Sequence, residues 1–149
     1  MALVLDCSVT LPWFLEDERS RFTDDLLLAA KRTEYWVPGI WCLEFPNALL
    51  MAERKGRIHR ARRLDALAQI LRLFIRVDDE RVDLLEISAL AERHSMTTYD
   101  AAYLELALRH GSGIATLDRK LATAAAAERV VVKSPGHGGA AQKRRRYNI

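Results

Sequence analysis

Leu3-Val4-Leu5-Asp6-Cys7-Ser8 is the stretch that decides the fold. A short, uninterrupted apolar run ending in an acid reads as a strand buried on both faces, and such strands belong to parallel sheets covered by helices. Working outward, a short helix follows through Phe14, and Phe22, Leu26 and Ala29/Ala30 recur at helical spacing, which predicts a helix over 20–32. Tyr35-Trp36-Val37 reads as a second strand, stopped by Pro38-Gly39. A helix from near Leu43 to Lys55 ends at Gly56, with Pro46 required to sit in its first turn or kink it. Leu64, Leu67, Ile70/Leu71 and Phe74 mark one face of the next helix. Phe74-Ile75-Arg76-Val77 is a third strand and Val82 to His94 another helix. Thr97 to His110 is the plainest helix, closed by Gly111. Ile114-Ala115-Thr116-Leu117, a short Ala-rich helix and Val130-Val131-Val132 complete the pattern. Strand and helix alternate throughout, which predicts the α/β class: a three-layer α/β/α architecture around a central, mostly parallel sheet of about five strands.

Length and composition fit one such domain. The chain has 149 residues, half of them apolar, with 7 Gly and 4 Pro, so disordered, collagen-like and coiled-coil architectures are excluded. Its longest apolar runs are of five residues, such as 26–30, far short of the ~20 a membrane helix needs. No export signal is visible, because Asp6 breaks the opening apolar run. The expectation is a cytoplasmic protein without a membrane partner. Cys7 and Cys42 are too few for a disulfide framework or a zinc site and read as small buried side chains. The charge is uneven. Five of the 23 Lys and Arg, and none of the 20 acids, fall from Lys133 onward, which leaves residues 1–132 at −2. The reading is therefore a folded domain over 1–132 and a basic, Gly/Pro-containing tail over 133–149, with its charge cluster at 143–146. A second basic run, Arg54, Lys55, Arg57, Arg60, Arg62 and Arg63, is either a nucleic-acid surface or the wet side of a helical hairpin.

Ligands of open parallel sheets bind at the carboxyl ends of the strands. Asp6 ends the first strand and Asp118 the fourth. Asp100 heads the stripe Tyr103, Leu104, Ala107, Leu108 at i, i+3, i+4, i+7 and i+8, so it points inward. Glu44 lies at the margin of the Trp41–Phe45–Ala48–Leu49–Ala52 face. Four carboxylates thus head for one edge of the sheet. Each has an ordinary alternative. Asp118 and Asp6 stand where helix N-caps stand, Thr97-Thr98-Tyr99-Asp100 fits a loose capping box, and Glu44 in a first turn suits the helix dipole. Capping explains one acid at a time, but not the arrival of all four on the same side.

The ordered set Val4-Leu5-Asp6-Cys7-Ser8, then Pro38 with Glu44 and Asn47, then Thr98-Tyr99-Asp100-Ala101-Ala102-Tyr103, then Thr116-Leu117-Asp118-Arg119-Lys120-Leu121 resembles a PIN domain over roughly residues 2–132. More narrowly it is similar to VapC-type toxins, the ribonuclease half of bacterial toxin–antitoxin pairs. That resemblance implies a PIN-like fold and catalytic roles for Asp6, Glu44, Asp100 and Asp118 in Mg²⁺- or Mn²⁺-dependent RNA cleavage. It further implies a cognate antitoxin as partner, and homodimerisation. Some members carry a further acid just after the fourth position, where this chain has Lys120. The chemistry agrees with the carry-over. Two unit charges about 4 Å apart repel by roughly 4 kcal/mol at an effective dielectric near 20. Four such groups in one cleft call for protons or a cation, and hard oxygen ligands suit Mg²⁺ or Mn²⁺. On this reading Asp6, Asp100 and Asp118 are the metal ligands, Glu44 positions or deprotonates the attacking water, and Thr116 and, more weakly, Ser8 support them by hydrogen bonds. Two other classes stay open on sequence: a phosphoacceptor signalling domain with Asp78-Asp79, and a non-catalytic partner-binding module whose acids only cap helices.

Overall fold

The computed structural model describes residues 2–136; the basic cluster at 143–146 lies outside them. The chain opens with β1 (Ala2–Leu5) and α1 (Cys7–Thr10), runs through two 3-10 turns to Glu18, and continues with α2 (Arg21–Ala29) and β2 (Glu34–Val37). Next come α3 (Trp41–Arg54), α4 (Arg60–Ile70), β3 (Ile75–Val77), α5 (Leu84–Arg93) and α6 (Thr98–His110). β4 (Gly113–Ala115), α7 (Arg119–Ala127) and β5 (Val132–Lys133) end the described chain. The five strands form one sheet in the order β3-β2-β1-β4-β5, and every pairing is parallel. Register sets Leu3 beside Tyr35 and Gly113, and Val4 beside Trp36 and Ile114.

That order carries the function. The chain builds outward from β1 to β2 and β3, then returns across the sheet to lay β4 on the other side of β1. The switch point therefore lies between β1 and β4, where a crevice opens at the carboxyl edge. Right-handed crossovers put α2 to α4 on one face and α5 to α7 on the other. The Tyr35 hydroxyl donates to the Leu26 carbonyl of α2, 2.6 Å away, whereas the Trp36 ring meets His110 of α6 edge-on on the opposite face. Leu3, Val4, Leu5, Tyr35, Ile114 and Ala115 are all buried, as a doubly covered sheet requires.

Helix ends follow their local chemistry. Ser20 caps α2 in a reciprocal capping box with Thr23, and Asp83 caps α5. Thr97 caps α6, which Gly111 closes at φ +61°, a left-handed conformation that a side chain would strain. Pro46 is the sixth residue of α3 rather than a first-turn residue. It removes the bond to the Cys42 carbonyl on a stretch that is exposed, where the loss costs least. Cys42 is exposed instead of buried because it lies off the Trp41–Phe45 stripe; Cys7 is buried as expected. Trp13, Phe14 and Trp41 are core residues. β5 starts later than expected, because Arg129 at φ +61° turns the chain and Val130 is spent plugging the core. Among the described residues no helix is long and apolar enough to cross a membrane.

Candidate active site

Asp6 emerges from the end of β1 at the switch point and is fully buried. It occupies the N-cap position of α1, yet its side chain makes no cap bond. Its Oδ2 instead accepts from the Ser8 hydroxyl at 2.6 Å and the Thr116 hydroxyl at 2.8 Å. Both hydroxyls are themselves acceptors. Ser8 Oγ takes the Leu117 N–H at 2.9 Å, and Thr116 Oγ1 takes the Asp118 N–H at 2.9 Å. Each hydroxyl has a single proton, and in both cases it is aimed at the same carboxylate oxygen, an arrangement that serves a charged Asp6. Strand periodicity explains the meeting. Asp6 follows Val4, and Thr116 follows Ile114, on the same face of paired strands.

Asp118 stands one strand away and is the N-cap of α7. Its Oδ1 accepts from Lys120 N at 2.8 Å and Leu121 N at 3.1 Å. The capping alternative is therefore real at this acid, while Thr116 ties its backbone to Asp6. Glu44, half-buried in the first turn of α3, accepts from the Tyr103 hydroxyl at 2.9 Å. Tyr103 is fully buried. Burial, and then the neighbouring Cys7, Asp6 and Glu44, push its phenol far above the ordinary tyrosine range, so it remains a proton donor. Tyr103 thus lies within electrostatic reach of both Asp6 and Glu44. Asp100 is half-buried in the first turn of α6, one turn before Tyr103 on the same helical face; its N–H is held by the Thr97 hydroxyl at 3.1 Å.

Asp6 and Asp118 follow β1 and β4, Glu44 lies in the first turn of the helix after β2, and Asp100 lies in the first turn of α6, the helix that leads back into β4. Hydrogen bonds join Asp6 to the Asp118 backbone through Thr116 and join Glu44 to α6 through Tyr103. Among the described residues no three His, Cys, Asp or Glu side chains stand as a finished metal cage. Tyr103 is the residue that pattern reading assigned to the core alone. The signal lay in its type, since a phenol on a fully buried stripe needs a partner for its hydroxyl. Half of the basic run of the α3–α4 hairpin is engaged within the chain: Arg57 with Asp17 and Glu18, Arg62 with Asp65, and Arg63 with Glu53.

The sequence model of the PIN domain matches residues 3–127, nearly the whole described chain. The chain belongs to the PIN domain family. Ribonuclease VapC3 of Pyrobaculum aerophilum is 31% identical to it over 124 residues, which cover 82% of this chain and 93% of that protein. Two solved structures share the PIN fold seen here. One is a crystal structure of a Pyrobaculum aerophilum protein, with TM-score 0.69 and 21% identity, covering 89% of both chains. The other is VapBC2 of Rickettsia felis bound to a DNA fragment from its promoter, with TM-score 0.65 and 12% identity, covering 90% of this chain and 98% of that one. At those identities the structural likeness speaks for fold, while the family match speaks for descent.

Proposed function

We propose that this PIN domain is a divalent-metal-dependent endoribonuclease that hydrolyses RNA phosphodiesters as the toxin of a toxin–antitoxin pair. The observation that carries the reading is Asp6. It is a fully buried carboxylate at the sheet's switch point that makes no cap bond and is gripped by two hydroxyls. Burying such a charge is costly, so its place needs another reason. The named relative acts on RNA by its name and covers most of this chain, which supports the same substrate class here.

The donor set is hard oxygen throughout, which fits Mg²⁺ or Mn²⁺ and not a thiophilic ion. Carboxylate donors of this kind suit an ion that keeps part of its water, as Mg²⁺ does. Asp6, Asp100 and Asp118 would hold it. When bound, the ion supplies charge neutralisation at the phosphate and a more acidic water. The rest is done by the chain. Ser8 and Thr116 fix the Asp6 carboxylate, the Asp118 cap fixes the turn before α7, and Tyr103 aims Glu44 by donating to one of its oxygens. Glu44 then orients the attacking water and takes its proton. A P–O bond forms to that water, the P–O bond to the leaving ribose oxygen breaks, that oxygen takes a proton from solvent, and Glu44 returns its proton to solvent.

Divalent-metal-dependent cleavage of total RNA by the purified protein, with Asp6→Asn and Asp100→Asn as controls, tests the reading. Cleavage that needs Mg²⁺ or Mn²⁺ and vanishes in both variants is the expected result. Variants that are folded and fully active would remove these acids from the chemistry. A partner-binding module with capping acids would show no cleavage under any metal. The antitoxin is the proposed protein partner, and a homodimer the proposed assembly.

A further inference from the structure

We propose that a cleft between the end of α5 and the start of α7 is a subsite for a backbone phosphate of the RNA strand, beside the position that is cut; this rests on the ribonuclease reading. The cleft encloses about 320 Å3 and is lined by His94, Arg119, Lys120, Thr123 and Ala124. Its location is set by the acid it adjoins, for the Lys120 N–H bonds to Asp118 Oδ1. A strand whose phosphate is cut at the carboxyl edge therefore has its neighbouring phosphates within reach of this cleft.

Two observations point to an anionic occupant, and a third fixes the wall opposite. First, Arg119 and Lys120 both line the cleft, and among the described residues neither forms an ion pair with a carboxylate. Second, both are exposed in the first turn of α7, with no acid in that turn and no base in the last. The helix dipole disfavours cations at this end, and two adjacent ones repel, so folding alone selects against them. Third, the wall opposite is ordered. His94 is held by Glu128 at 2.7 Å, which also pairs with Arg93, so the end of α5 is clamped to the end of α7. The Thr123 hydroxyl, one turn after Lys120, adds a donor on the same helical face.

The test is RNA binding by the full chain without divalent metal, so that nothing is cut, using a single-stranded oligonucleotide of mixed sequence. Replacing both cations (Arg119→Ala with Lys120→Ala) should weaken binding about tenfold and flatten the slope of log K against log salt by roughly 0.7, one phosphate contact on a single strand. An equal charge change on the opposite layer, Arg21→Ala with Arg32→Ala, should leave the slope within error of wild type. In cleavage assays KM should rise with kcat within about twofold, and the melting temperature should hold or rise, because the helix dipole is relieved. Unchanged binding and KM in the first double variant, an equal loss in the second, or no RNA binding by the wild type would each overturn the subsite. Metal-free binding that shifts as expected, without cleavage under any metal, would keep the subsite and remove the nuclease.

Discussion

Two neighbouring strands end in an aspartate at the same edge, and the two aspartates are used differently. Asp118, after β4, does a helix's work: its Oδ1 takes two backbone N–H groups of α7. Asp6, after β1, stands at the same kind of position before α1 and leaves it uncapped, turning to two side-chain hydroxyls. α1 is four residues long, too short for a cap to matter much, whereas α7 has nine residues and carries the chain to β5. A cap serves stability, and a buried carboxylate that makes none fits the metal-holding role proposed for Asp6. Similar positions in the sequence thus hide unlike demands.

The sharpest way to break that contrast is Asp6→Asn. Cleavage should fall by roughly 10³-fold, while the melting temperature holds or rises because a buried charge is removed. Loss of the fold instead would make Asp6 structural after all. Asp118 should split by substitution. Asp118→Asn keeps the cap and should lose activity with little change in denaturant midpoint, whereas Asp118→Ala should lose activity and about 1 kcal/mol of stability. Equal midpoints for the two would mean the cap carries no weight.

Smaller effects test the links between the two ends. Thr116→Val removes the hydroxyl that Asp6 and the Asp118 N–H share, leaving a buried N–H without its acceptor, and should cost about 1–3 kcal/mol with a roughly tenfold slower turnover. Tyr103→Phe should cost about 1 kcal/mol and lower activity less, since Glu44 stays in place but is no longer aimed. The faintest effect belongs to the far end of α7, where His94 first and then Arg93 hold the Glu128 carboxyl below its ordinary value. A depressed acid adds stability that is fully present above its unfolded pKa and is lost as pH falls through the folded one. Glu128→Gln should therefore flatten the stability profile in the acid range below about 4.5 and nowhere else.

Much of this was legible in the residues. Fully apolar strand runs and helices closed by Gly led to a parallel α/β sheet, and the strand order makes its carboxyl edge the place to look. The acids at that edge could be found because strands and helix starts have fixed periods. Boundaries were harder to read. Phe74 reads as part of a strand and is almost entirely exposed, and Val130 reads as a strand residue but fills the core beneath α7. In both cases apolar character alone does not say whether the residue joins the ladder. Tyr103 hid for a related reason, because its ring satisfies the core pattern while its hydroxyl reaches Glu44. Likewise the pairing of Arg57 with Asp17 and Glu18 spans about forty positions, and no local pattern announces it.

The hydroxyls of Ser8 and Thr116 extend the seam between β1 and β4 past the last rung of their ladder. The same stitches that keep these strand tips from parting are the ones that grip the Asp6 carboxylate. Fraying at this corner would therefore silence the protein before the body of the domain came apart. A population warmed or mildly denatured would divide into molecules that are wholly competent and molecules that are inert, with few sluggish ones between.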